Sequence, residues 1–147
     1  APELRRQLFI HFMSERNAYD SRYLVDVPIN AAETVAALGR HLRAGKPLPT
    51  AFLTANEENA IGTVRALQAA GLRVPQDVSI ISFNDTPLSE LFDPPLTSIS
   101  THVQEMGRMA VQLAVERIPR AGSLRELPVK LIVPPTLVLR GSAAAPS

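Results

Sequence analysis

The stretch that decides the fold is Val78-Ser79-Ile80-Ile81-Ser82-Phe83-Asn84-Asp85. Val78, Ile80, Ile81 and Phe83 make a nearly continuous apolar run, bounded by Pro75 and by Asn84-Asp85. A strand with one wet face would alternate, so this run fits a parallel strand covered on both faces. Immediately upstream, Ala51 to Thr54 reads as a second buried strand. Between the two, Asn56 can cap a helix whose first turn holds Glu57 and Glu58, favourable near the positive end of the helix dipole. Ile61, Val64 and Leu67 mark that helix's inner face, and Gly71 suits the left-handed position after its end. Further out, Tyr23 to Val27 is rich in strand formers and stops at Pro28. It leads into a helix from Ala31 to Ala44, where Val35, Leu38 and Leu42 recur helically and Gly45 supplies the stop. Strands alternating with helices in this way predict right-handed crossovers and an α/β fold, a doubly wound parallel sheet. Ligands of such sheets sit outside the carboxyl ends of the strands, here near Asn56 and Asn84.

The flanks extend this pattern. Glu3 to Glu15 carries Leu4, Leu8, Phe9 and Phe12 at helical spacing, which predicts an amphipathic helix. On the other side Pro94-Pro95 breaks the chain before an extended piece, Leu96 to Ser100. A helix from Val103 to Ile118 follows, its stripe made of Val103, Met106, Ala110, Ala114 and Ile118. Val129 to Val133 and Thr136 to Arg140 read as two final strands separated by Pro134-Pro135, and Gly141 to Ser147 as a frayed end of small residues.

Composition narrows the function. The 147 residues carry 15 Lys+Arg against 14 Asp+Glu, a formal charge of +1 with no basic face for a phosphate backbone, so this stretch itself is not expected to bind DNA. With no cysteine, and with His11, His41 and His102 far apart, neither a metal site nor a thiol nucleophile is expected, and no cofactor is implied. No phosphate-binding glycine loop or Gly-x-Ser-x-Gly is present, and Ser79 and Ser82 have no evident base, so an enzyme is not expected. No apolar run reaches the length of a membrane span, and the opening Ala1-Pro2-Glu3 reads as the interior of a longer chain.

From Pro49 to Ser100 several motifs occur in order. Pro49-Thr50-Ala51 is followed by Ala55-Asn56-Glu57-Glu58 and Ala60-Ile61-Gly62, then by Gly71-Leu72-Arg73-Val74-Pro75-Gln76-Asp77-Val78-Ser79 and by Pro94-Pro95-Leu96-Thr97. Leu139-Arg140-Gly141-Ser142 closes the chain. Together these resemble the lactose-repressor and galactose-repressor family of bacterial transcription regulators. The resemblance implies a periplasmic-binding-protein-like sensor domain of two α/β lobes with an effector, usually a sugar, in the cleft between them. Residues 1–100 would belong to the C-terminal lobe and 101–126 to a helix of the N-terminal lobe, with 127–142 returning as strands and 143–147 as a flexible tail. It also implies a cytoplasmic homodimer that meets DNA only through a separate upstream headpiece. A periplasmic sugar-binding protein of a transport system shares the fold and is the rival reading.

The same resemblance carries a candidate effector site. Arg5 lies four positions before Phe9, as the family's effector-binding arginine lies before its own aromatic residue, and its guanidinium could fork two hydroxyls; Arg6 is a rival. Asn56 matches the binding-loop asparagine, a role compatible with capping a helix. Asn84 stands where the family usually has an aspartate, which exchanges a charged acceptor for an amide that both donates and accepts. Asp85 has two roles open to it, capping the turn from Pro87 to Leu91 or touching ligand. Thr101 matches a cleft position, although a strand hydroxyl is usually structural.

Overall fold

The structure is a computed structural model and describes residues 2–118 and 129–145. Helix α1 spans Pro2–Glu15, α2 Ala31–Arg43, α3 Glu57–Ala69, α4 Leu88–Leu91 and α5 Val103–Arg117. The strands are β1 Ala51–Leu53, β2 Ser79–Asn84, β3 Thr97–Ser100 and β4 Thr136–Val138. They form one sheet in the order β1-β2-β3-β4. β1, β2 and β3 run parallel, while β4 returns antiparallel to β3 through the pairs Ser98–Val138, Ile99–Leu137 and Ser100–Thr136.

Local chemistry accounts for the element ends. The Asn30 side chain accepts the Glu33 N–H at 3.0 Å and the Asn56 side chain accepts the Asn59 N–H at 3.0 Å, so both long inner helices carry an asparagine cap. Gly45 and Gly71 follow the ends of α2 and α3 with φ of 65° and 76°, the left-handed geometry that glycine adopts without steric penalty.

The core lies where α2 and α3 meet β2. Leu38, Val64, Leu67, Val78 and Ile80 are buried there, with Leu96 from the approach to β3. At Gly62 the helices come so close that an added Cβ would lie 2.5 Å from the Ala31 carbonyl oxygen and from the Thr34 Cβ. Asn59 adds a polar tie, donating from Nδ2 to the Pro28 carbonyl at 2.8 Å and to Thr34 Oγ1 at 2.9 Å.

Four expectations are corrected. Tyr23 to Val27 is not a strand: Ser21–Tyr23 forms a 3-10 turn capped by Asp20, and 24–27 follows without pairing, because no strand among the described residues lies beside it. Val129 to Val133 is likewise irregular, with Val129, Leu131 and Ile132 exposed. In α1 the apolar spacing misjudged the face: Leu4, Leu8 and Phe12 are exposed, and the half-buried side carries Arg5, Arg6, Phe9, Ile10 and Met13. This orientation follows where Arg5 and Arg6 find partners.

The fourth correction concerns the expected frayed end. Ser142 is wholly buried and staples the beginning of the sheet. Its Oγ donates to the Ile80 carbonyl at 2.7 Å and accepts the Thr97 N–H at 2.8 Å, while its carbonyl accepts the Ile80 N–H at 2.7 Å. Ala144 continues the tie by donating its N–H to Ser79 Oγ at 3.1 Å. Residues 146–147 of the expected tail, and 119–128 of the expected connection after α5, lie outside the described residues. Among the described residues no helix is long and apolar enough to cross a membrane.

Candidate functional site

Three of the five residues singled out from the sequence come together at the carboxyl ends of β1 and β2. Arg5, in the first turns of α1, donates from Nη1 to the Ala55 carbonyl at 2.8 Å and reaches Asn84 Oδ1 from Nη2 at a long 3.5 Å. Its guanidinium carbon also sits 4.4 Å from the centre of the Phe83 ring, a cation–π arrangement that a planar, weakly hydrated guanidinium accepts readily. One side chain thus links a helix to the ends of two strands. Arg6, the rival position, lines the same cavity as Arg5 but pairs with Glu3 at 3.5 Å and Asp26 at 3.6 Å. Asn56 spends its side-chain carbonyl on capping α3, which leaves its amide group to point a donor elsewhere.

Asn84 ends β2 with φ of 92°, and Asp85 follows with φ of 59°. Two successive left-handed residues turn the chain sharply off the sheet, a conformation that asparagine and aspartate tolerate better than most. Strain of this kind persists where surrounding bonds over-determine it, and here they are visible. The buried carboxylate of Glu57 accepts the Thr86 N–H at 2.8 Å and the Ser89 hydroxyl at 3.4 Å, and faces Asn84 Nδ2 at 3.5 Å. Arg140 grips the other side: Nη1 donates to Asp85 Oδ1 at 2.6 Å and to the Leu96 carbonyl at 2.9 Å. The bond to Asp85 holds the Arg140 guanidinium above its usual pKa.

These contacts revise two sequence expectations. Asp85 does not cap the helical turn α4, whose first position is preceded by Pro87 with no side-chain cap; it is the partner of Arg140 instead. Glu57, read as a charge that favours the helix dipole, is buried and bridges the loops after β1 and β2. Only the position of a negative charge at a helix start hinted at it; its burial depends on the β2–α4 loop folding over it. Thr101 lies one residue past the Asn84–Ser100 pair, at the same end of the sheet but two strands from β1. No group of three His, Cys, Asp or Glu able to hold a metal occurs among the described residues.

A cavity of about 610 Å³ opens beside β1. Arg5 lines it, but Asn56, Asn84, Asp85 and Thr101 do not. Most of its wall is apolar, including Phe9, Met13, Val25 and Leu53.

Comparisons with known proteins identify the family. The family described as periplasmic binding protein-like domain matches residues 1–143. The HTH-type transcriptional regulator GalR of Streptococcus thermophilus is 35% identical over 136 residues, covering 88% of this chain and 40% of that protein. The lactose operon repressor of Rhizobium radiobacter is 36% identical over 115 residues, 78% of this chain and 98% of that sequence. Among solved structures, a LacI-family regulator from Sanguibacter keddieii superposes with a TM-score of 0.83 at 30% identity, over 95% of this chain and 52% of its own. A LacI-family regulator of Arthrobacter sp. FB24 in complex with lactose gives 0.71 at 30% identity, over 80% and 43%. The chain therefore spans about two fifths to one half of most of these relatives, and it belongs to the periplasmic-binding-protein-like domain family, in the branch formed by the lactose-repressor and galactose-repressor regulators.

Proposed function

We propose that this chain is the effector-sensing part of a DNA-binding transcription regulator and that its effector is a sugar. The observation that carries the reading is the convergence of Arg5, Asn56 and Asn84 at the carboxyl ends of β1 and β2, where an open α/β sheet binds its ligands. A guanidinium and two amides supply donors and acceptors in fixed positions, which is what a ring of hydroxyls requires. The lactose complex of the Arthrobacter relative supports the same ligand class. Asp85, held by Arg140, shapes the loop that presents Asn84, and Thr101 closes the same end of the sheet. In this reading the chain is not an enzyme, acts in the cytoplasm, pairs as a homodimer, and influences DNA through a headpiece outside its own sequence. The names of its relatives favour this over a transport protein.

Titration calorimetry against a panel of mono- and disaccharides tests the assignment, on the chain carrying the upstream residues that its longer relatives possess. Arg5→Ala and Asn84→Ala should each weaken the best sugar by about 1–3 kcal/mol, because hydroxyls would be left buried without partners. Restoring the family's usual acid with Asn84→Asp should reorder the panel and also lower stability, since the new carboxylate would replace a donor 3.5 Å from the buried carboxylate of Glu57. Unchanged affinity in both alanine variants would remove the site from this position.

A further inference from the structure

Glu57 and Asn84 meet where the chain leaves β1 and β2. The Glu57 carboxylate is buried at the start of α3, and one of its oxygens, Oε1, accepts the Thr86 N–H at 2.8 Å and the Ser89 hydroxyl at 3.4 Å. Its other oxygen, Oε2, faces Asn84 Nδ2 at 3.5 Å, while Asn84 Oδ1 faces Arg5 Nη2 at 3.5 Å. The amide of Asn84 is therefore set between an anion and a cation. Both contacts are long for hydrogen bonds, and the charges on either side do the orienting, more strongly in a half-buried setting than they would in water.

Turned the other way, the amide would set its N–H against the guanidinium and its oxygen against the carboxylate, two repulsive contacts in place of two attractive ones. A carboxylate at position 84 would satisfy Arg5 but meet Glu57 oxygen to oxygen. An apolar side chain would leave a buried carboxylate oxygen without a donor. Among side chains of this length, only asparagine carries its donor and its acceptor on separate atoms. An amide has two N–H groups and two lone pairs, so once Glu57 and Arg5 each take one, one N–H and one lone pair remain. An aspartate has no N–H to offer.

We propose that Glu57 is a positioning residue of the effector site: it fixes the identity and orientation of Asn84, and so gives the ligand a hydrogen-bond donor at the end of β2. Within the sugar-sensing reading of the site, on which this rests, a sugar hydroxyl that meets residue 84 is held there as an acceptor. An aspartate in the same place would hold it as a donor. The site therefore tolerates a ligand group that carries no hydrogen at that position, and a carboxylate would reject it, because two acceptors would be pressed together away from water.

The test exchanges the roles of the two side chains by isosteric substitution: Glu57→Gln, Asn84→Asp, and both together. In Glu57→Gln the Thr86 N–H keeps the amide oxygen on its own side, so the new NH2 group turns toward position 84. There it opposes the Asn84 NH2 in the single variant and donates to the new carboxylate in the double one. Urea unfolding of this chain reads the tie without any sugar. Each single variant should raise the unfolding equilibrium constant, and in the double variant the constant should lie about tenfold or more below the product of the two increases. Additive losses would overturn the proposal. Titration calorimetry then compares the best sugar of the panel with its mono-deoxyfluoro analogues, on the longer chain used for that panel, since fluorine is close to a hydroxyl in size and cannot donate. At one hydroxyl, replacement by fluorine should weaken binding to the parent by about threefold or less and to the double variant by about tenfold or more. If the two proteins rank the analogues alike, Asn84 offers the ligand no donor and the proposal fails. A parent that binds no sugar at all would sink the sugar reading, and the donor role with it, while coupling in the unfolding cycle would keep Glu57 as the residue that orients Asn84.

Discussion

Helices α3 and α5 are alike as sequences and opposite as structure. They have 13 and 15 residues, and each repeats apolar residues at helical spacing, yet α3 buries eight residues and α5 none. α3 lies between α2 and β2, so Gly62, Thr63 and Ala66 are buried along with Val64 and Leu67. α5 leaves Val111 65% exposed and its C-cap residue Ile118 71% exposed, and the stripe read from its sequence, Val103, Met106, Ala110, Ala114 and Ile118, is exposed along its whole length. A periodic stripe specifies which face a helix will bury once a partner is present. It does not specify the partner.

Substitutions should divide along this line. Leu67→Ala removes a fully buried side chain at the centre of the α3 contact and should cost about 2–5 kcal/mol, seen as a lower urea midpoint at unchanged slope. A loss no larger than that of an α5 variant would erase the distinction between the two helices. Gly62→Ala comes next, at about 1–3 kcal/mol, because the new methyl meets the Ala31 carbonyl and the backbone of α2 must move. If the same unfolding assay finds it neutral, the close approach of α2 and α3 is not what holds them.

Ser142→Ala extends the comparison to the sheet. It leaves the Thr97 N–H and the Ile80 carbonyl without their side-chain partner and should cost about 1–2 kcal/mol by the same measurement. Smaller still is the turn that leads from α3 into β2, where hydrogen bonds from the Arg73 side chain and backbone hold Asp77 at a pKa of about 2. A depressed carboxylate pKa contributes stability that is fully present above the unfolded value of about 3.9 and is lost as pH falls through the folded value. The urea midpoint should therefore decline between about pH 4 and pH 2, and Asp77→Asn should flatten that decline. Val115→Asn in α5 closes the series with a change below about 0.5 kcal/mol in unfolding, because the side chain is already in water.

The candidate site divides in the same way. Asn56 was legible because its neighbours along the chain settle its role: a capping residue before an acidic first turn. Asn84 and Asp85 were legible as the end of an apolar run, and Arg5 only through the family resemblance, as an arginine four positions before an aromatic residue. What each touches was not legible. Asp85 meets Arg140 across 55 positions and Arg5 meets Asn84 across 79, and no local pattern encodes such pairings.

By itself the sequence determined the strand–helix alternation, the two asparagine caps, the two left-handed glycines after α2 and α3, and the apolar run of β2, all of which depend on residues within one or two turns of each other. Tertiary structure alone decided the rest. It turned Phe9 and Met13 of α1 inward while Leu4 and Leu8 stayed in water, made Ser142 a staple instead of a loose end, buried Glu57 under the β2–α4 loop, and left 24–27 unpaired. The physical reason is that backbone periodicity and capping are satisfied within a segment. Burial and the pairing of a strand edge are satisfied only by whatever distant chain arrives beside it.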